Sequence, residues 1–330
     1  MKTPQKQILL VALITTLSML FGGCERHSKS EQYFLIATHI GLPYWQSAHA
    51  GFTKAAAEYG VTEEMRGPEA FTPTIEVDEF RAAVARKPAG ILVSVADPAL
   101  MGPEINKAIA AGIPVIAMDS DAPDSQRLFF IGTNNLEAGR LGGQRVAAEL
   151  NGKGNVVFFT MPSQPNLVER LKGYQDVFAS HPGIKVVEVF DMKGESGTAM
   201  DKAREYLSRT GASKIDAFIC LESSSGKDVG EAFKRAKPQN TMLMAMDVDQ
   251  ATLELVKDGT IQATISQKPF TMALLGLKFL DDLHHYPLKP LTRDWGSDAS
   301  SPVPAFIDTG VSLVDKSNVD KFLNPPTTAP

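Results

Sequence analysis

From Tyr33 onward the chain alternates, with short apolar runs rich in Val, Ile and Phe each followed by a longer segment of helical period. A parallel strand needs a long crossover to reach its neighbour, and a helix is the usual crossover, so this alternation calls for parallel sheets with helices on both faces. Strand-like runs fall at 33–38, 91–93, 115–118, 128–131, 156–160, 185–190, 217–221, 242–246 and 263–266, with a weaker one near 61–66. Helix candidates lie near 44–59, 74–86, 98–111, 135–150, 166–180, 197–210, 225–236, 249–257 and 269–284. Gly60, Gly112-Ile113-Pro114, Asn151-Gly152-Lys153-Gly154 and His181-Pro182-Gly183 punctuate the joins. About five units precede Gly132 and about four follow Asn135, so the pattern is roughly duplicated. The expected fold is α/β, with two doubly wound parallel-sheet lobes. After Pro287 the period is lost, except for a strand-like run at 305–308 that reads as a crossing strand among surface loops.

Residues 1–24 stand outside this pattern. Lys2 and Lys6 precede an apolar stretch, 8–21, of about 14 residues, short of the ~20 that span a bilayer and suited to the core of a signal peptide. Phe21-Gly22-Gly23-Cys24 follows and resembles a bacterial lipobox, although Phe21 replaces the commoner leucine. Cys24 is therefore the expected lipidation site, residues 1–24 the leader and 25–32 a tether. An ordinary secretory signal or an uncleaved anchor are the alternatives. Each buried methylene of a lipid contributes ~0.8 kcal/mol of membrane affinity. Removing residues 1–23 leaves 31 basic against 38 acidic side chains, a net charge of −7, which argues against a nucleic-acid partner. Cys220 lies in an apolar run and reads as a buried structural thiol.

In open parallel sheets, ligands bind beyond the carboxyl ends of the strands. The residues that follow each strand-like run are therefore the candidates. They are His39 and Pro43-Tyr44-Trp45-Gln46; Ser94 and Asp97; Asp119-Ser120-Asp121; Ser163, Gln164, Asn166 and Arg170; Glu222-Ser223-Ser224-Ser225; Asp247 and Asp249; and Gln267. Carboxylates and amides suit sugar hydroxyls, and aromatic faces suit the C–H face of a sugar ring. Asp119, Asp247 and Ser223 to Ser225 also suit helix N-caps after a βα turn, and Tyr44 and Trp45 suit a core.

With those residues laid out, the chain resembles the type I periplasmic sugar-binding proteins, the ribose- and galactose-binding family of ABC-transporter substrate-binding proteins. The resemblance runs from about residue 33 to 283. It is carried by Gly41-Leu42-Pro43-Tyr44-Trp45-Gln46, by residues 89–94 leading to Asp97-Pro98, by AIAAGIPVIAMDSD at 108–121, by Ile131-Gly132-Thr133-Asn134-Asn135 with Ala138-Gly139-Arg140, by residues 169–174 and by Ala263-Thr264-Ile265-Ser266-Gln267. It implies that Tyr44 and Trp45 stack on a sugar, that Asp119 and Asp247 bind hydroxyls from opposite lobes, and that Gln267 contacts ligand at a hinge crossing. Glu222 and Leu42 fall where relatives place asparagine, and Val168 and Ser120 where they place arginine, with Asn166 or Gln164 as substitutes for the former. These departures weigh against D-ribose itself and leave a monosaccharide or related polyol. The resemblance further implies lobes joined by a three-segment hinge, the first at 31–132 plus 268–296 and the second at 133–267 plus 297–330, with the third crossing in the 290s. The implied partners are a permease and ATPase complex, and the implied state is a monomer.

An enzyme is the main competing class, because Asp97, Asp119, Glu222 and Asp247 include possible acid–base pairs. Yet the sequence carries no nucleophile elbow, no phosphate loop and no clustered metal motif, so no catalytic residue, cofactor or metal is expected. Of the six histidines, His39 sits at the expected cleft, and His284-His285 reads as a helix C-terminal cap. A transcriptional regulator is disfavoured by the lack of a helix-turn-helix before Tyr33. A sensor that shows its closed form to a chemoreceptor or sensor kinase stays open.

Overall fold

A computed structural model describes residues 27–324. Cys24 and the leader lie outside the described residues. Among the described residues twelve strands form two six-stranded sheets. The first contains β1 (Gln32–Ile36), β2 (Thr62–Arg66), β3 (Gly90–Val93), β4 (Val115–Met118), β5 (Phe130–Gly132) and β11 (Phe306–Asp308), in the order β11-β5-β4-β3-β1-β2. The second contains β6 (Lys153–Thr160), β7 (Gly183–Asp191), β8 (Ala217–Cys220), β9 (Met242–Met246), β10 (Ala263–Ser266) and β12 (Ser312–Asp315), in the order β12-β10-β9-β8-β6-β7. Apart from β12, which runs antiparallel to β10, the pairings are parallel. The two sheets thus repeat one topology, and strand order reverses between β1 and β3 and again between β6 and β8. Strands β3, β4, β8 and β10 are buried along their full length, as continuous apolar runs in a sheet covered on both faces require.

The helices of the first lobe are α1 (Pro43–Tyr59), α2 (Pro73–Ala85), α3 (Pro98–Ala110) and α9 (Pro269–His285). Those of the second are α4 (Asn135–Glu149), α5 (Pro165–Phe178), α6 (Ser196–Leu207), α7 (Ser225–Ala236), α8 (Gln250–Asp258) and α10 (Asp320–Leu323). Proline opens α1, α2, α3, α5 and α9, where its missing N–H costs nothing. Asp97, Asn134 and Asp249 cap α3, α4 and α8 by accepting from backbone N–H groups. Among the described residues no helix is long and apolar enough to cross a membrane.

The chain crosses between lobes three times: after β5, after β10, and at residues 309–311 between β11 and β12. The third crossing was expected in the 290s; the structure displaces it because β11 pairs with β5, Phe306 opposite Phe130, with their rings stacked at 5.3 Å. Residues 306–308 therefore belong to the first sheet. Residues read as a free tether are also engaged from His27 on, whose Nε2 lies 2.9 Å from Asp281 Oδ2.

One helix contact lies behind the site, because α5 carries Asn166 and Arg170. Helices α4 and α5 approach so closely that a Cβ at Gly173 would lie 2.2 Å from the Leu136 carbonyl oxygen, and one at Gly139 2.0 Å from that of Arg170. Gly173→Ala is expected to push the helices apart at a cost of about 1–3 kcal/mol or more. Urea denaturation checks it; an unchanged midpoint and slope would refute the close-packing account.

Candidate ligand-binding site

The carboxyl ends of both sheets face one another, and Asp119 and Asp247 occupy equivalent places, one residue beyond β4 and β9. Both have left-handed backbone, φ 62° and 69°, which is costly for a residue with a Cβ and is tolerated where function over-determines it. Neither is a helix cap. Asp119 Oδ1 accepts from the Tyr44 hydroxyl at 2.8 Å and Oδ2 from Ser94 Oγ at 3.0 Å. Asn166 Nδ2 reaches across from the other lobe to Asp119 Oδ2 at 3.5 Å. Asp247 Oδ1 accepts from Gln267 Nε2 at 2.9 Å, and Gln267 Oε1 accepts from Thr133 Oγ1 at 2.8 Å. Two of the three lobe crossings are thereby joined at the floor of the cleft.

Arg170 is 2% exposed. Its guanidinium donates to Asn135 Oδ1, to the Leu221 carbonyl and, at 3.4 Å, to Gln267 Oε1. The α4–α5 approach brings Asn135 within its reach. Glu222, a ligand candidate by sequence, accepts the Ser224 and Ser225 N–H groups at 2.6 and 2.7 Å and so caps α7, the role that was the alternative reading of the serine side chains. Burial pushes the Asp119 carboxyl above its ordinary value, while Tyr44, Arg170, Ser94 and Asn166 pull it back. Burial likewise pushes Asp247 up to about 7, opposed by Arg170 and Gln267 and reinforced by Asp119 and Glu222. The Tyr44 phenol rises well above its ordinary value, chiefly by burial, and burial lowers His39.

All nine sequence candidates, His39, Tyr44, Trp45, Asp119, Asn166, Arg170, Glu222, Asp247 and Gln267, line one cavity of about 50 Å³. Trp45 is 2% exposed and meets Tyr44 edge to face at 5.3 Å. Gln164 and Leu42 also line it, whereas Val168 is 49% exposed on the outside of α5. A second cavity of about 530 Å³ shares His39, Tyr44, Asp247 and Gln267 and is walled further by Pro43, Val248 and Phe270. Sequence reasoning missed Thr38, Phe71, Met161, Leu167 and Gly194. Phe71 comes from a first-lobe loop but packs against the second lobe's core. Its Cβ occupies the space a Cβ on Gly194 would need, 2.6 Å away. No local pattern marks such a pair; only Gly194, at φ 81°, carried a turn signal.

Residues 33–284 match the family described as periplasmic binding protein domain. The chain belongs to the periplasmic binding protein family. It is similar to the sugar-binding protein of a sugar ABC transporter from Bacillus halodurans, at 34% identity with a TM-score of 0.75, covering 88% of this chain and 99% of that one. It is also similar to AraP, an arabinose-binding protein from Geobacillus stearothermophilus, at 33% identity and TM-score 0.72, with the same coverage. The structure of the XylFII–LytSN complex matches at 26% identity and TM-score 0.77, over 87% of this chain and 98% of that one. Across 92% of this chain, the xylose/arabinose-binding protein XylF of Sulfolobus acidocaldarius is 23% identical, over 75% of its own length. As a periplasmic binding protein this chain is a binder and not an enzyme, and its working compartment lies outside the cytoplasm.

In this periplasmic binding protein, Arg170 is the only lysine or arginine of the cavity wall, among three carboxylates. Arg170→Met is expected to lower the unfolding free energy by about 3–5 kcal/mol, because Asn135, the Leu221 carbonyl and the buried aspartates lose their shared donor and charge. Chemical denaturation measures it, and wild-type stability would show that the guanidinium is not a structural tie.

Proposed function

We propose that this protein captures a neutral monosaccharide or related polyol between its lobes and delivers it to an ABC importer. The observation that carries this is the pair of buried, topologically equivalent aspartates, Asp119 and Asp247, facing one cavity from opposite lobes beside Tyr44 and Trp45. Carboxylates accept from vicinal hydroxyls, Asn166 and Gln267 both donate and accept, and an aromatic face covers ring C–H groups. Three acids against one guanidinium disfavour an anionic ligand such as a sugar acid or phosphate. Names of the relatives point the same way: sugar-binding, arabinose-binding, xylose/arabinose-binding. Ligand contacts from both lobes favour the closed form, which is what a permease would recognise.

The working protein is a monomer held to the membrane by lipid on Cys24, with residues 1–23 removed and lobes divided at the three crossings. A second reading, presentation of the closed complex to a receptor protein, draws on the similarity to the XylFII–LytSN complex.

A thermal-shift screen against pentoses, hexoses and polyols is expected to give a selective rise in melting temperature, since a ligand specific for the native state stabilises it by mass action. Silence with every sugar would overturn the sugar assignment. A pH dependence is also expected. Burial pushes the Asp247 carboxyl up to about 7, so it favours the folded state at low pH and that contribution is lost as pH rises through about 7. A hydroxyl donating to the carboxylate reverses the preference on binding. Affinity should be level above pH 7 and fall by up to about tenfold per unit below it. Asp247→Asn should flatten the profile, and an unflattened one would remove Asp247 from the hydroxyl-accepting role.

Cys24→Ser is expected to release the protein from the membrane fraction with unchanged ligand affinity. A lipid-retained Cys24→Ser protein would contradict the anchor.

A further inference from the structure

Far from the cleft, at the carboxyl end of α9, three side chains converge and Glu31 lies against one of them, His285. His27, Asp281 and His285 each bring one ligand-type atom to within 4.8 Å of the others. His27 Nε2 lies 2.9 Å from Asp281 Oδ2, and its ring stacks on Tyr59 at 4.8 Å with 4° between the planes. His285 Nδ1 lies 2.9 Å from the Asp281 carbonyl oxygen. A carbonyl can only accept, so Nδ1 carries the proton, which is the orientation in which a histidine offers Nε2 to a metal. Nε2 faces Glu31 Oε2 at 3.5 Å, longer than an N–H···O hydrogen bond. Glu31 Oε2 is itself buried and accepts no hydrogen bond. Glu31 Oε2 thus stands beside the His27–Asp281–His285 cluster as a buried carboxylate oxygen without a hydrogen-bond donor.

We propose that His27, Glu31, Asp281 and His285 form a divalent-metal site of zinc type. Zinc takes four imidazole and carboxylate ligands at about 2.0–2.2 Å in a tetrahedron, which sets ligand atoms about 3.4 Å apart. The 2.9 and 3.5 Å separations bracket that edge. Two nitrogens and two carboxylate oxygens suit zinc or its neighbours over calcium or magnesium, which prefer all-oxygen shells. Tyr33 donates to Asp281 Oδ1 at 3.2 Å and so orients that carboxylate from behind. His27 opens the described chain and His285 closes α9, so the ion fastens the start of the folded chain to α9. If Cys24 carries the anchor, three residues upstream, this site fixes how the first lobe sits at the membrane.

The test uses untagged protein produced with its own leader and stripped by chelator, titrated with zinc chloride. We expect one zinc per chain, X-ray absorption showing two imidazole ligands with oxygen completing the shell, and a zinc-dependent rise in melting temperature. His27→Gln should weaken zinc binding at least tenfold, with His285→Gln doing the same and His284→Gln leaving it unchanged. Should His285→Gln fail to fold, His27→Gln decides, because residue 27 lies outside any helix or strand. No stoichiometric zinc, or zinc held equally by His27→Gln, overturns the site and leaves the sugar assignment untouched.

Discussion

Arg170 holds a full positive charge out of water at the junction of α5, α4, the end of β8 and a lobe crossing, through Asn135, the Leu221 carbonyl and Gln267. Without that charge, the acids at the cleft would repel one another in a poorly solvated space and take up protons. With it, Asp119 and Asp247 are drawn back toward ionisation against the effect of burial. The guanidinium reaches this place because glycines let α4 and α5 touch. A packing feature on the back of the second lobe thus governs the electrostatics of the front.

The repeated topology has a chemical consequence. Two sheets of the same strand order, facing carboxyl end to carboxyl end, put the residue after β4 opposite the residue after β9. Both positions hold aspartate in a left-handed conformation, so each carboxylate is turned out of its strand and into the cleft. Asn166 to Asp119 and Phe71 against the second lobe's core are contacts between lobes. Polar and apolar groups thus both join the two lobes, and both sets favour this relative placement of them.

Much of this was legible in the chain. The strand and helix periods, the parallel sheets, and the polar residues gathered beyond strand ends follow from patterns spanning only a few neighbours. The tail was read less well. Strand β11 is three residues long and β12 four, too short to show a period, and their partners are β5 and β10, far away in sequence. The crossing was misplaced for that reason. Glu222 shows a different limit: it lines the cavity as its place in the sequence implied, yet its carboxylate also accepts the Ser224 and Ser225 N–H groups, a contact that no local pattern announces.

Local order along the chain was enough to determine the architecture and to name the residues at its mouth, because backbone geometry converts a period of two or 3.6 into a face. It could not determine which side chains meet. Asp119 with Tyr44, Arg170 with Asn135, Phe71 with Gly194, and His27 with Asp281 are separated by tens to hundreds of residues. Such pairs leave no periodic trace, since their proximity arises only when two sheets, their crossings and the returning helix α9 have packed. Burial and partner then set each group's charge, and with it what the cleft can hold.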